Sequence, residues 1–304
     1  MTDYLTVKPS QIHLFSTIPF YFHSKEEDFV LYKKKGAGLA DEQANDTRHP
    51  PLFIQEKDKD RALKELTTAL NRNLARQIDS GGFVQVKDTL CQIVHEALIP
   101  KQEKVMEALP ETIEILLGKV NQDHGVMEYL IQIAGNSSRI VEHTVNVAAL
   151  ILQYCFYHKM SQAETSRLAL CAMLHDVGSS KIEKKLLETD NRLTDKEFKA
   201  FTKHTVMGYD MIITNTNFDI SIATVALEHH ERLDGSGYPN GIKDITMDSQ
   251  LIGMIDSYEP LTYRNKIFRK AKKPFEALQI IKNDVMKEKF SKVFFKKFAS
   301  CLVK

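Results

Sequence analysis

Two short stretches of the sequence contain residues that can bind metal ions. One reads HHERLDGSGYPNG and begins with His229 and His230, directly after an apolar run typical of a helix. Adjacent residues on a helix point about 100° apart, so both imidazoles can reach one centre only where the helix ends at it. The other reads LALCAMLHDVG. It contains an apolar helix that is expected to end at His175 and Asp176, with Gly178 as its C-cap. Imidazole with carboxylate is a ligand pair for Zn, Fe or Mn.

Three more candidates lie in predicted helices that have an apolar face. His143 falls within SRIVEHTVNVAALILQYCFYHK, and His204 within TDKEFKAFTKHTVMGYDMII. Asp256 falls within SQLIGMIDSYEPLTY, where Pro260 is expected to disturb the helix. Capping boxes are expected where two of these helical segments begin, at Ser161 and Thr194.

The combined set consists of five histidines and two carboxylates: His143, His175, Asp176, His204, His229, His230 and Asp256. A single metal ion needs three or four such ligands, so seven suit two ions that share Asp176. Two ions about 3.5–4 Å apart are a standard device for hydrolysing phosphoesters. Each histidine taken alone is more often an ordinary core or surface residue. The ordered set is more specific, because each member comes where an independent helix can present it.

Composition limits the broad class of the protein. The 304 residues are 43% hydrophobic, and 41 Lys and Arg balance 40 Asp and Glu, so charge gives no argument for nucleic-acid or membrane binding. No apolar run is long enough for a transmembrane helix, and the polar N-terminus lacks the core of a secretory signal. The four cysteines form no CxxC pair. A reduced, cytoplasmic location is expected.

The pattern predicts a mainly α protein in three parts. Residues 1–58 are expected to form a small α+β domain, in which FYFHSKEEDFVLYKKKG is a hairpin and PPLFIQ contains a further strand. Residues 59–124 are expected to form a helical linker region. Residues 125–304 are expected to form one helical bundle domain. The N-terminal part has no catalytic constellation, and sensing, dimerisation or partner docking all remain open for it.

The motifs resemble those of the HD-GYP family, a branch of the HD phosphohydrolases. HDVG, from His175 on, is similar to the HD motif, and HHERLDGSGYPNG is similar to the long signature, GYP included. His204 before Gly208 resembles the intervening histidine, and Asp256 the later metal aspartate. The resemblance covers about residues 135–270.

This resemblance implies an HD-type helical domain with a binuclear metal centre, di-iron or alternatively manganese. It also implies hydrolysis of cyclic di-GMP to pGpG or GMP, with Asp176 and Lys181 as candidate catalytic residues. By the same resemblance, one metal would be held by His143, His175, Asp176 and Asp256. The other would be held by His204, His229 and His230, with Asp176 shared.

The candidate substrate-binding residues are Arg232, Gly237, Tyr238, Pro239 and Arg264. For Arg232, which precedes Asp234, a structural role through an ion pair or turn hydrogen bonds is favoured. A signalling partner could bind at the GYP loop or at the N-terminal domain. No pattern of aromatic residues supports binding of long nucleic acids.

The sequence departs from the family pattern mainly where phosphate is expected. Ser179 stands where the family has Lys, and a Ser cannot supply that charge. Glu259 stands where the family has an Asp, and Asn265 stands where it has an Arg. Arg264, one position earlier, could take the place of that Arg. Arg139 replaces a Glu found in some members, which argues for two metals rather than three. Losing one charge-assisted contact costs about 10²–10³ in rate.

Three functions are therefore open. The leading hypothesis is a slow or specialised cyclic di-GMP phosphodiesterase. The alternatives are a signalling protein that binds cyclic di-GMP or a partner without turnover, and a phosphohydrolase for another nucleotide or phosphoester.

Overall fold

The computed structural model describes residues 3–24, 28–37, 39, 49–99, 103–120, 139–263 and 270–302. Its contacts divide the chain into two compact units, Met1–Asn73 and Leu74–Lys304. This boundary falls inside the helix Lys59–Asp79, α1. The division into three parts at residues 58 and 124 stays a prediction.

The first unit contains a small antiparallel sheet. Its strands are β1 (Tyr4–Val7), β2 (Phe20–His23), β3 (Phe29–Lys33) and β4 (Leu52–Gln55), in the order β1-β4-β2-β3. The predicted hairpin is the pair β2–β3, whose register places Phe20 opposite Lys33 and His23 opposite Phe29. Ile18, Phe20 and Leu52 are almost completely buried. The small N-terminal domain with a sheet is confirmed.

The regular secondary structure of the second unit is entirely helical in its described residues, as predicted for a mainly α protein. After the end of α1, its α-helices are α2 (Phe83–Ala97), α3 (Leu109–Val120), α4 (Arg139–Tyr157), α5 (Gln162–Leu174), α6 (Lys184–Glu188), α7 (Asp195–Phe201), α8 (His204–Asn215), α9 (Ile220–Glu228), α10 (Met247–Tyr263), α11 (Pro274–Met286) and α12 (Lys292–Leu302). Short 3-10 helices span Glu103–Ala108 and Val177–Lys181. No helix in the described part of the chain is both long and apolar enough to cross a membrane.

Four helices form the core beneath the candidate ligands. Helix α4 packs on α5 and α10, and α9 packs on both α5 and α10. Fully buried side chains at these contacts include Ile151, Ala172, Val225 and Ile255. Each fully buried aliphatic side chain stabilises the fold by about 1.5–3 kcal/mol. This core fixes the relative positions of the helix ends at which the ligands lie.

The capping boxes form as predicted. At the start of α5, the Ser161 hydroxyl accepts from the Glu164 backbone N–H, and Glu164 accepts from the Ser161 backbone N–H. Thr194 and Glu197 make the same pair at the start of α7. Each cap satisfies backbone N–H groups that a helix N-terminus leaves without partners.

Helix α10 contains Pro260 and continues to Tyr263, so the disturbance expected there is limited to the backbone hydrogen bond that proline cannot donate. One local expectation was wrong. Gly178 is not a C-cap, because α5 ends with His175 as its cap and Gly178 lies in the following 3-10 helix. A Cβ at Gly178 would lie 2.0 Å from the His204 carbonyl oxygen and 2.4 Å from the Gly208 nitrogen. Glycine is therefore required there for close packing of the chain against α8.

Candidate metal centre

All seven predicted ligands converge on one buried site, and most lie at helix ends. His175 is the C-cap of α5 and Asp176 follows it, His204 begins α8, and His229 is the C-cap of α9. Helices α4 and α10 supply His143 and Asp256 from their interiors. His229 and His230 both reach the centre because α9 ends there, as the sequence required.

The donor atoms form two groups. One contains His143, His175 and Asp256, and the other contains Asp176, His204, His229 and His230. Within each group the donor atoms lie within 4.8 Å of one another. In the first group, His143 Nε2 is 2.9 Å from Asp256 Oδ1, and His175 Nε2 is 3.8 Å from the same oxygen.

Asp176 lies between the two groups. Its Oδ1 is 3.2 Å from His204 Nε2 and 3.7 Å from His229 Nε2. Its Oδ2 is 3.5 Å from His175 Nε2 and 3.9 Å from His143 Nε2. One carboxylate oxygen thus faces each group, which is the geometry required for a ligand shared by two cations.

Three histidines are oriented by backbone carbonyls at helix C-termini. The Nδ1–H of His175 donates to Ala172 O at 2.7 Å, and that of His204 donates to Phe201 O at 2.8 Å. The Nδ1–H of His229 donates to Ala226 O at 3.0 Å. Because Nδ1 carries the proton, Nε2 presents its lone pair to the centre. The carbonyls belong to the negative ends of three helices, which favour a cation nearby.

His143 is oriented by side chains instead. Its Nδ1 lies 2.7 Å from Glu259 Oε2, and Asn146 Nδ2 donates to Glu259 Oε1 at 2.6 Å. Glu259 and Asn146 are both buried. A carboxylate behind a ligating histidine fixes the ring and increases its basicity. Sequence reasoning gave neither residue a role, although each lies three positions after a predicted ligand on the same helix, a spacing that places both on one face.

The donors fit a divalent cation. His175 Nε2 is completely buried and has no hydrogen-bond partner among the described residues. His204 Nε2 and His229 Nε2 are 3.4 Å apart with their lone pairs facing each other. A buried nitrogen without a partner is unfavourable, and a metal ion is the partner that imidazole and carboxylate donors in this arrangement suit.

The charge states of several predicted ligands also suit metal binding. Burial lowers the pKa of His175 to about 4 and the pKa of His230 well below its usual value. Burial by itself would raise the pKa of Asp176, but the imidazoles of His175, His229 and His204 outweigh it and hold that pKa well below its ordinary value. Neutral histidines and an ionised carboxylate are the forms that bind metal. His143 is an exception: burial by itself would lower its pKa, but the carboxylates of Glu259 and Asp256 outweigh burial and raise that pKa well above its usual value.

Arg232 has the structural role that was favoured. Its guanidinium donates to the carbonyls of His229 (3.1 Å) and Glu231 (2.7 Å), and to Ser257 Oγ at 3.0 Å. Asp234 accepts turn hydrogen bonds from the backbone N–H and hydroxyl of Ser236. Arg232 nevertheless lines the pocket over the predicted ligands, so a contact with substrate stays a prediction.

The GYP loop packs directly on the ligands. The Tyr238 ring stacks on His230, with centroids 4.6 Å apart, and the Tyr238–Pro239 peptide is cis. A Cβ at Gly237 would lie 2.4 Å from Glu231 Cα, so glycine permits this close approach. Glu231 Oε1 accepts from the backbone N–H groups of Asn240 and Gly241. The role of Glu231 was missed, although it directly follows the double histidine.

The predicted phosphate-facing residues are less well placed. The side chain of Lys181 is exposed, and no hydrogen bond or ion pair between described residues joins it to the centre. Ser179 is buried, and its hydroxyl donates to Asp176 Oδ1 at 3.4 Å. Arg264 lies outside the described residues, as does Asn265. A catalytic role for Lys181 and a substrate contact for Arg264 stay predictions.

A pocket of about 380 Å³ opens directly over the centre. Its lining includes the ligands His143, Asp176, His230 and Asp256. This volume lies near the lower end of the range of ligand pockets, about 300–1,000 Å³.

A family model described as HD domain matches residues 128–290, more than half of the chain. The chain belongs to the HD domain family. The resemblance to HD-GYP proteins predicted from the motifs is also confirmed.

Several curated proteins are similar to this HD domain chain. The cyclic di-GMP phosphodiesterase response regulator RpfG of Xanthomonas campestris is 31% identical over 130 residues, covering 42% of this chain and 34% of that protein. A cyclic di-GMP phosphodiesterase of Thermotoga maritima is 31% identical over 137 residues, covering 44% and 37%. A 3'3'-cGAMP-specific phosphodiesterase of Vibrio cholerae is 27% identical over 154 residues, covering 50% and 32%. The chain thus spans about a third of the length of these relatives.

The fold is similar to that of a solved structure. Bd1817, described as an HDG"Y"P protein from Bdellovibrio bacteriovorus, aligns with a TM-score of 0.63 at 16% identity. The alignment covers 99% of this chain and 100% of that one. The predicted HD-type fold, with a small N-terminal domain before a helical one, is confirmed.

Proposed function

We propose that this HD domain protein is a metal-dependent phosphodiesterase with a binuclear centre, and that its substrate is a cyclic dinucleotide, cyclic di-GMP first. The observation that carries the proposal is Asp176, whose two carboxylate oxygens face two separate groups of histidines. The relatives named as cyclic di-GMP phosphodiesterases support the substrate class. Iron is the leading metal and manganese the alternative, because donors of this kind accept both.

The residues of the site would have different roles. His143, His175 and Asp256 would hold one ion, His204, His229 and His230 the other, and Asp176 both. Such ions supply two effects: they lower the pKa of water and polarise a phosphoryl oxygen. Glu259 and the helix-end carbonyls keep the imidazole lone pairs directed inward. Tyr238 restricts the ring of His230 by stacking on it.

Turnover is expected to be slow. Ser179 is buried beside Asp176 and supplies no positive charge, and the side chain of Lys181 points to solvent. These observations also motivate the second candidate, a protein that binds a cyclic dinucleotide and signals to a partner without hydrolysing it. A third candidate is a phosphodiesterase that prefers 3'3'-cGAMP, as the names of some relatives suggest. A cytoplasmic location would suit all three.

The decisive experiment measures metal content and turnover on one sample purified without oxygen. Cyclic di-GMP and 3'3'-cGAMP are tested in parallel, with Asp210→Asn on the exposed face of α8 as a control for removal of a carboxylate. About two metal ions per chain with product would support the leading proposal, and the preferred dinucleotide would separate it from the third candidate. Two ions without product would favour the binding protein. No metal after reconstitution would contradict the site itself.

A further inference from the structure

A second cavity adjoins the pocket over the metal ligands. It measures about 280 Å³, and we call it the Ser179 cavity. Ile140 and Leu187 line both spaces, so the two share a wall. Ser179 lines the second cavity and donates to Asp176, which lines the first. The Ser179 cavity therefore lies one hydrogen bond away from the carboxylate at the middle of the cluster.

The walls of the Ser179 cavity are chiefly apolar. The lining includes the buried side chains of Leu98 and Val141, together with Ile99, which follows the end of α2. Two hydroxyls, of Ser179 and Ser180, are the polar groups inside. The exposed residues His95, Lys184 and Glu188 form the rim, where Lys184 Nζ lies 3.6 Å from Glu188 Oε1.

This lining selects a flat apolar group with polar edges rather than a second phosphate. Burial of an unpaired anion among aliphatic walls would be costly. The faces of a purine can be buried against Leu98, Ile99 and Val141. Its N–H edge can donate to the hydroxyl oxygens of Ser179 and Ser180, whose own protons are donated to Asp176 and Met211. The volumes of the two spaces are consistent with this. The Ser179 cavity and the pocket over the predicted ligands are each near the lower limit of about 300 Å³ for ligand pockets, so a nucleotide would need both.

We propose that the Ser179 cavity binds one base of the dinucleotide whose phosphate lies over the metal ligands, an inference that rests on the proposed function. The short side chain at position 179 is then part of the binding site, since a longer one would fill the space where the base lies. Ser179 would define a base pocket where the resemblance to the HD-GYP family leads one to expect a phosphate-binding lysine.

The test compares two ligands that differ only in the base. Guanosine 5′-monophosphate and ribose 5-phosphate are titrated by calorimetry into the metal-loaded full chain. The wild type should bind the nucleotide about tenfold more tightly, the ratio expected if roughly 60 Å² of apolar surface leaves water. Ile99→Phe, which fills the cavity, should bind both ligands equally. Ile213→Phe, on the exposed side of α8, is the matched control and should keep the difference.

Ser180→Leu narrows the cavity from another wall and replaces Ile99→Phe if that variant does not fold. Equal affinities for the two ligands in the wild type would overturn the proposal, and so would a full tenfold difference in a folded cavity variant. Binding is measured without turnover, so a protein that hydrolyses nothing still gives an answer. Failure of the proposed phosphodiesterase activity is thereby kept distinct from failure of the base pocket.

Discussion

Different kinds of chemical group orient the histidines on the two sides of the cluster of predicted ligands. On the α4–α10 side, consisting of His143, Asn146, Asp256 and Glu259, the imidazole is oriented by a chain of side chains. On the helix-end side, consisting of His175, His204 and His229, every imidazole is oriented by a backbone carbonyl. The orientation of His143 can therefore be altered by changing one functional group. The orientation of the helix-end histidines can be altered only by moving the backbone.

The largest effect should come from Asp176, which lies between the two groups of donor atoms. Asp176→Asn keeps the size of the side chain but removes the charge that faces both groups. We expect loss of bound metal and a fall in turnover on the order of 10³-fold or more. Mass spectrometry of bound metal and a turnover assay measure this, with Asp210→Asn as control. Full metal content in Asp176→Asn would mean that each group of donors binds its ion without Asp176.

Gly178→Ala should damage the helix-end side through the backbone. The new Cβ would overlap the His204 carbonyl oxygen, so α8 must shift, at a cost of roughly 3 kcal/mol in the free energy of unfolding. Movement of His204 should also release the ion of its group. Urea unfolding and metal analysis test both effects. Gly118→Ala in α3, where a Cβ meets nothing within 4 Å, is the control. A variant as stable as the wild type would contradict the close packing.

Glu259→Gln should damage the α4–α10 side without moving the backbone. The neutral amide has one oxygen to accept a hydrogen bond and carries no negative charge, whereas Glu259 accepts from both His143 and Asn146. His143 therefore loses basicity and part of its orientation. We expect metal affinity to fall about 10–100-fold with little change in fold. Competition with a coloured chelator measures this affinity, and the exposed change Glu288→Gln is the control. An affinity equal to that of the wild type would remove Glu259 from the site.

The smallest effect should come from a helix start far from the donors. Ser161→Ala removes the capping box of α5, which should lower the free energy of unfolding by about 1 kcal/mol. The ligands His175 and Asp176 follow the opposite end of that helix, so metal affinity should stay unchanged. The urea midpoint and the chelator competition are measured together. A parallel loss of affinity would show that the helix-end side depends on the whole helix.

That the seven candidate side chains lie close together could be predicted from the sequence, because several of them are marked locally; their binding of metal stays a prediction. His175–Asp176 and His229–His230 follow apolar helical runs, and the long GYP signature is specific. The contact of His143 with Glu259 could not be predicted, since the two residues are separated by 116 positions and meet only through packing of α4 on α10. The Ser179 cavity was equally hidden, because its walls come from separate helices. Gly178 was misassigned because a close approach between chain segments leaves no local pattern.

The helix-end anchors also have an evolutionary consequence. Ala172, Phe201 and Ala226 orient their histidines through carbonyl oxygens, an atom that every amino acid possesses. Substitutions at these positions are therefore limited only by packing, and they leave the tautomer of the histidine that bonds to the carbonyl unchanged. Glu259 has no such freedom, because its contribution resides in a carboxylate that few substitutions preserve. Descendants of this chain can therefore change many residues around three of the ligands, while His143 stays dependent on one.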